Sequence, residues 1–144
     1  MKIIIRNKKA SHEYFITDRY TAGIQLTGTE VKSIKQLKAS INEAFCSFTG
    51  GDLFIRNMHV SEYANIKYTN HVPSRDRCLL LRKGELNKLS KAIKEKGLTI
   101  IPLNVLISDT SFIKIEIGVA KGKNAPDRKE SIKERDIKRQ LDNN

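Results

Sequence analysis

Between residues 113 and 119 the sequence alternates without a break: Ile113, Ile115, Ile117 and Val119 fall on one side of an extended chain, Lys114 and Glu116 on the other. A period of two excludes a helix here, because at 3.6 residues per turn those four side chains would scatter around the axis. A strand cannot satisfy its own N–H and C=O groups, and its β-branched face must be covered. The chain therefore has to build a sheet with one wet face around a core, the odd positions marking the core side.

Other segments supply the partners. His12 to Thr17 and Gly23 to Thr27 read as short strands, Ile24 and Leu26 alternating with Gln25 and Thr27. At Gly28 the period changes: Thr29 is suited to cap a short helix on which Val31 and Ile34 lie three apart, running to about Leu37. So short a helix cannot stand alone and must pack on the sheet, with Lys32 and Lys35 toward water. Ile41 to Thr49 and Leu53 to Val60 form a hairpin across Gly50-Gly51-Asp52, a turn composition suited to positive φ. Ala64 to Asp76 is polar, holds Pro73 and shows no period, so it reads as a long surface loop with Arg75 and Arg77 at its exit. Leu79-Leu80-Leu81 resumes as a buried strand, and Gly84 to Lys96 is the clearest helix, with Leu86, Leu89 and Ile93 on one stripe and Gly97 as C-cap. Leu98 to Ile107 is a strand interrupted by Pro102, which implies an edge or a bulge. Six to seven strands joined as hairpins, with two helices, give a mainly β fold: an antiparallel barrel with peripheral helices.

After Ala120 the periodicity stops. Lys121 to Pro126 reads as a flexible basic joint, dividing a domain of residues 1–120 from a tail of residues 121–144. The tail's apolar residues, Ile132, Ile137 and Leu141, form no stripe, while pairs such as Glu134 and Lys138 favour a helix without making it stable. A tail disordered alone and helical on a partner is expected.

Charge says what kind of partner. The chain of 144 residues carries 27 Lys+Arg against 16 Asp+Glu, a net charge of +11, which favours a polyanion: nucleic acid or an anionic membrane. No apolar run approaches the ~20 residues of a membrane span. Met1 to Arg6 holds too few apolar residues for a secretory leader, so a cytoplasmic location is expected. Cys46 and Cys78 lie in strand-like segments without metal-site spacing and read as buried reduced thiols.

Enzyme chemistry finds little support. His12, His59 and His71 are scattered and read as surface or sheet-end residues, and His12-Glu13-Tyr14-Phe15-Ile16 has Ile where a zinc-protease helix needs its second His. No glycine-rich nucleotide cradle or nucleophile elbow is present. The basic clusters are more specific, and Tyr14, Tyr20, Tyr63 and Tyr68 are available to stack on bases. A general single-strand RNA-binding barrel or RNA chaperone is one function of that kind, but with 6% aromatics and no Trp the chain is poorly furnished for it.

The residues also match a known pattern. Asn7-Lys8-Lys9-Ala10, then His12, Tyr14 and Ile16, then Ala22-Gly23-Ile24 with Leu26 and Gly28-Thr29-Glu30-Val31-Lys32-Ser33, closely resemble the opening of the SsrA-binding protein family, also called small protein B. Arg75, Arg77 and Leu79-Leu80-Leu81 follow in order. After them come Lys96-Gly97 with Thr99 and Pro102, Val119-Ala120-Lys121-Gly122-Lys123, and Asp127-Arg128-Lys129-Glu130. The resemblance implies an oligonucleotide-binding-type barrel that binds the tRNA-like domain of transfer-messenger RNA. It also implies delivery of that RNA to stalled ribosomes for trans-translation, with no catalytic residue, cofactor or metal and no membrane. It assigns RNA contact to Asn7, Lys8, Lys9, Gly23, Gly28, Glu30, Lys32, Ser33, Arg75 and Arg77, with Lys121 and Lys123 bridging body and tail. Asp127, Arg128, Lys129, Lys133, Arg135, Lys138 and Arg139 would enter the small-subunit decoding centre and message channel, the protein acting there as a monomer. For Glu30 two roles stay open, direct contact with RNA or support of a helix N-terminus.

Overall fold

The computed structural model describes residues 1–64 and 70–123. In chain order the elements are β1 (Lys2–Arg6), a single turn α1 (Ala10–Glu13), β2 (Tyr14–Ile24), α2 (Gly28–Lys35), β3 (Ala39–Ser40), β4 (Phe45–Thr49), β5 (Asp52–Arg56), β6 (His59–Val60), β7 (Arg77–Leu80), α3 (Lys83–Lys96), β8 (Thr99–Ile107) and β9 (Ile113–Gly122). The strands β8, β4, β5, β7, β2 and β9 pair in that order, and β9 returns to β8, closing an antiparallel barrel. β4 meets β8 only at Ile100, so β1 takes the rest of that edge, beside Asn104 to Ile107. β3 and β6 form a separate two-stranded ribbon.

The alternating segment lies where its pattern requires: Ile113, Ile115, Ile117 and Val119 are all buried in the core, alongside Ile34 of α2 and Leu89 of α3. Its other face is wet only in part. Ala120 joins Ala10, Ile101 and Leu103 in a smaller cluster beneath α1, where a side chain on Gly118 would come within 2.8 Å of Leu103 Cδ1 and 3.0 Å of Ile16 Cγ2. Close approach of a neighbouring strand, not a turn, accounts for that glycine.

Several expectations hold in detail. The hairpin turns at Gly50 and Gly51, both at positive φ (+59° and +95°), and α3 ends at Gly97 with φ +63°. Pro102 sits at a bulge, where the register of β8 with β9 shifts between Pro102 and Asn104, and on the other side of β8 it falls in the gap between the pairing of Ile100 with β4 and that of Asn104 with β1.

Other expectations are corrected. The two short strands expected at 12–17 and 23–27 are one strand, β2, whose register with β9 shifts between Ile16 and Asp18. The polar bulge there breaks the alternation by which a continuous strand is recognised. His12 lies in α1, where the N–H groups of His12 and Glu13 donate to Lys9 O. α2 is capped by Thr27 rather than Thr29. The shoulders of the long hairpin leave the barrel and pair as the β3–β6 ribbon. The expected barrel of six to seven antiparallel strands stands, six closing it and β1 extending the sheet to seven; the two-residue strands β3 and β6 and the single turn α1 are additions to it among the described residues. β9 runs through Lys121 and Gly122, which pair with Phe15 and Tyr14, so these residues belong to the sheet and not to a joint. Cys78 is only half-buried; burial pushes both its thiol and that of Cys46 up, and neither is in a disulfide. His71 is buried, not at the surface. Tyr68 and residues 124–144, including the whole tail from Asp127 onward, lie outside the described residues.

Candidate nucleic-acid interface

α2 opens with Thr27-Gly28-Thr29-Glu30, the spacing of a capping box. Thr27 Oγ1 accepts the Glu30 N–H at 3.4 Å, and Glu30 Oε1 accepts the Thr27 N–H at 2.8 Å. The same carboxylate takes two guanidinium groups from the strand entry opposite. Arg75 donates from Nη2 to Oε1 at 2.7 Å and from Nε to Oε2 at 3.2 Å, and Arg77 donates from Nε to Oε2 at 2.6 Å. Four donors on two oxygens use the acceptor capacity of a carboxylate. Glu30 is wholly buried, and the support role is the one its geometry shows.

Arg77 is equally committed. Beyond Glu30 it donates from Nη1 to Met58 O and Arg75 O at 2.9 Å each, and from Nη2 to Pro73 O at 3.0 Å and Val72 O at 3.5 Å. With its five donors occupied and no exposed surface, it holds residues 72–75 onto α2 from within. His71 adds a second tie. Its Nε2 faces Val60 O at 2.9 Å, which can only accept, so Nε2 carries hydrogen; in the neutral ring Nδ1 then accepts the Thr29 hydroxyl at 2.8 Å. Arg75 is tied to the same frame through Glu30 and through Gln25 O, to which Nη2 donates at 3.2 Å, but unlike Arg77 it keeps 37% of its side chain exposed.

Burial would raise the Glu30 carboxyl, but Arg75, the Thr27 N–H and Arg77 together outweigh it and bring it from 4.5 down to about 2. An acid depressed on folding stabilises the folded state above its unfolded value and loses that contribution as pH falls through its folded one. The contribution, about 3 kcal/mol, is complete above about pH 5 and gone near pH 2. The urea midpoint should fall steeply over that window in the wild type and much less in Glu30→Gln, which has no ionised carboxylate there to lose.

The other expected residues separate into frame and surface. Asn7 is frame: its Nδ2 donates to Pro102 O at 2.8 Å and its Oδ1 accepts the Lys9 N–H at 3.1 Å, fixing the turn into α1. Gly23 lies within the sheet, where a Cβ would meet Leu80 Cβ at 3.3 Å. Ser33 is buried. Gly28 is open, with nothing within 4 Å of a Cβ placed on it. Lys8, Lys9 and Lys32 are exposed; Lys9 pairs with exposed Glu43, and Lys32 Nζ sits 5.4 Å from the centre of the Tyr63 ring.

Short contacts join these into one strip. The Lys8 N–H donates to Asn42 Oδ1, Ser40 pairs with His59, the Ser61 N–H donates to Lys38 O, and Lys32 lies over Tyr63. Lys123 meets the far end: its N–H donates to Glu13 O, its Nζ to Ser11 O at 2.7 Å, and the ammonium lies 5.2 Å from the Phe15 ring centre. Lys121 is exposed beside it in β9. Sequence reasoning missed His71, Tyr63 against Lys32, and Asn42, since each works through a partner distant along the chain. The Thr27–Glu30 capping signature was available to locate the true helix start.

Among the described residues no helix is long and apolar enough to cross a membrane, and no group of three His, Cys, Asp or Glu is placed to hold a metal. A closed antiparallel barrel carrying a basic strip, with the buried acid Glu30 anchoring Arg75 beside it, is the build of a nucleic-acid-binding barrel protein. The family model described as "SmpB protein" matches residues 4–144, and the chain belongs to that family. It is 49% identical to the SsrA-binding protein of Christiangramia forsetii over 97% of this chain and 89% of the relative. It is 45% identical to that of Thermosipho melanesiensis over 98% and 96%. A solved chain described as "tmRNA-SmpB: a journey to the center of the bacterial ribosome" matches with a TM-score of 0.70 and 37% identity over 85% of each chain.

Proposed function

We propose that this protein binds transfer-messenger RNA and delivers it to stalled ribosomes for trans-translation, acting by binding and positioning with no catalytic step of its own. The observation that carries this reading is the family match over residues 4–144 on a barrel whose basic strip is held by buried ion pairs. Within the strip, Lys8, Lys9, Lys32 and Arg75 contact phosphate, and open Gly28 lets the RNA backbone approach the start of α2. Asn7, Gly23, Glu30, Ser33 and Arg77 form the frame behind them. Lys121 and Lys123 stand where the barrel hands over to the tail, whose Asp127, Arg128, Lys129, Lys133, Arg135, Lys138 and Arg139 enter the decoding region and message channel.

Binding of a fragment comprising the tRNA-like domain, compared with an unrelated tRNA of equal length in moderate salt, tests the reading; equal affinity for the two would refute it. Lys8→Ala and Lys32→Ala should each reduce the slope of log K against log salt by about 1, with several-fold weaker binding, because each removes one phosphate contact.

A further inference from the structure

α2 ends in an unusual way. The Lys38 N–H donates to Ser33 O at 2.9 Å and the Leu37 N–H to Ile34 O at 2.8 Å, the paired bonds of a Schellman termination. That motif requires a left-handed residue after the cap, and Leu37 fills it at φ +63° where glycine fits without strain. The leucine gains no burial in return, since 59% of it is exposed. It lines instead a groove of ≈ 400 Å³ between β1 and the chain leaving α2, together with Ile3, Ile5, Arg6, Lys8 and Asn42. A second departure from regular geometry adjoins it: the register of β1 against β8 shifts between Ile3 and Ile5, leaving Ile4 as a bulge.

We propose that Leu37 and this groove receive an unpaired nucleobase of the bound RNA. The β1 isoleucines and Leu37 supply its apolar part, Ser40 and Asn42 its neutral polar part, Arg6 and Lys8 its cations, and no acid lines it, so it suits a flat ring with polar edges tethered to phosphate. Lys8 belongs at once to the groove and to the basic strip, so the groove continues the proposed RNA surface. The inference rests on the function proposed above and adds a contact that charge alone does not supply: Leu37 covers one face of the base, and its strained backbone holds it there.

Leu37→Gly separates this from a role in folding. The variant should melt at or above the wild-type temperature, because strain is removed, yet bind the tRNA-like-domain fragment roughly tenfold more weakly, the scale of one lost base-stacking contact. Leu37→Met, which keeps an apolar surface, should bind within about twofold of wild type. Undiminished binding by Leu37→Gly would overturn the inference. So would a lowered melting temperature with proportionate loss of binding, which would make Leu37 a packing residue. A wild type that does not prefer the fragment to unrelated tRNA would refute the underlying function, and the groove assignment with it.

Discussion

Arg77→Ala should lower the unfolding free energy by about 3 to 5 kcal/mol, the cost of breaking a buried ion pair from one side. Glu30 would keep Arg75 and the Thr27 N–H, but the carbonyls of Met58, Val72, Pro73 and Arg75 would lose a buried donor together. Against a total of roughly 5 to 15 kcal/mol for a domain, that is a large fraction. Urea denaturation measures it directly. Arg77→Lys should recover only part, since an ammonium offers three donors as a point charge where a planar fork of five is in use. RNA affinity should fall in both variants even where they remain folded, because the carbonyls of residues 72, 73 and 75 would no longer be pinned from within and Arg75 would be placed by its bonds to Glu30 and Gln25 O without that support. Unchanged stability in Arg77→Ala would mean that the loop is held by His71 and not by the guanidinium.

The second large effect concerns the other end of the chain. Removing residues 127–144 should abolish peptide tagging on stalled ribosomes and leave affinity for the tRNA-like-domain fragment nearly intact. β9 ends at Gly122, and the tie of Lys123 to Glu13 and Ser11 is made before the cut, so the barrel and its basic strip keep their contacts. A tagging assay beside a binding titration checks both halves. Equal loss of both would refute the division between an anchoring body and an inserting tail.

Most of the barrel could be read from the sequence because its signals are local. The alternation of β9, the Gly50-Gly51 turn and the stripe of α3 closed by Gly97 each lie within about a dozen residues, where periodicity and turn chemistry act. What escaped notice depends on pairing. β1 is a three-isoleucine run with no alternation, and only the edge of β8 left free by β4 makes it a strand. β2 was divided at its bulge. In the site, the basic residues were found but not their division of labour. Glu30 is 45 positions from Arg75 and 47 from Arg77, and nothing local shows that both arginines meet one buried carboxylate or that only Arg75 keeps part of its side chain exposed.

The ladder between β2 and β9, from Tyr14 opposite Gly122 to Gly23 opposite Lys114, joins one of the first strands to the last. Such distant pairing must close a long loop before any contact repays the lost entropy, which favours slow folding. During synthesis the barrel stays open until its final strand is made, with the edges of β2 and β8 both unpaired and ready to associate wrongly. A copy of this chain whose own translation stops short of β9 is therefore an unclosed sheet, not a weakened version of the protein.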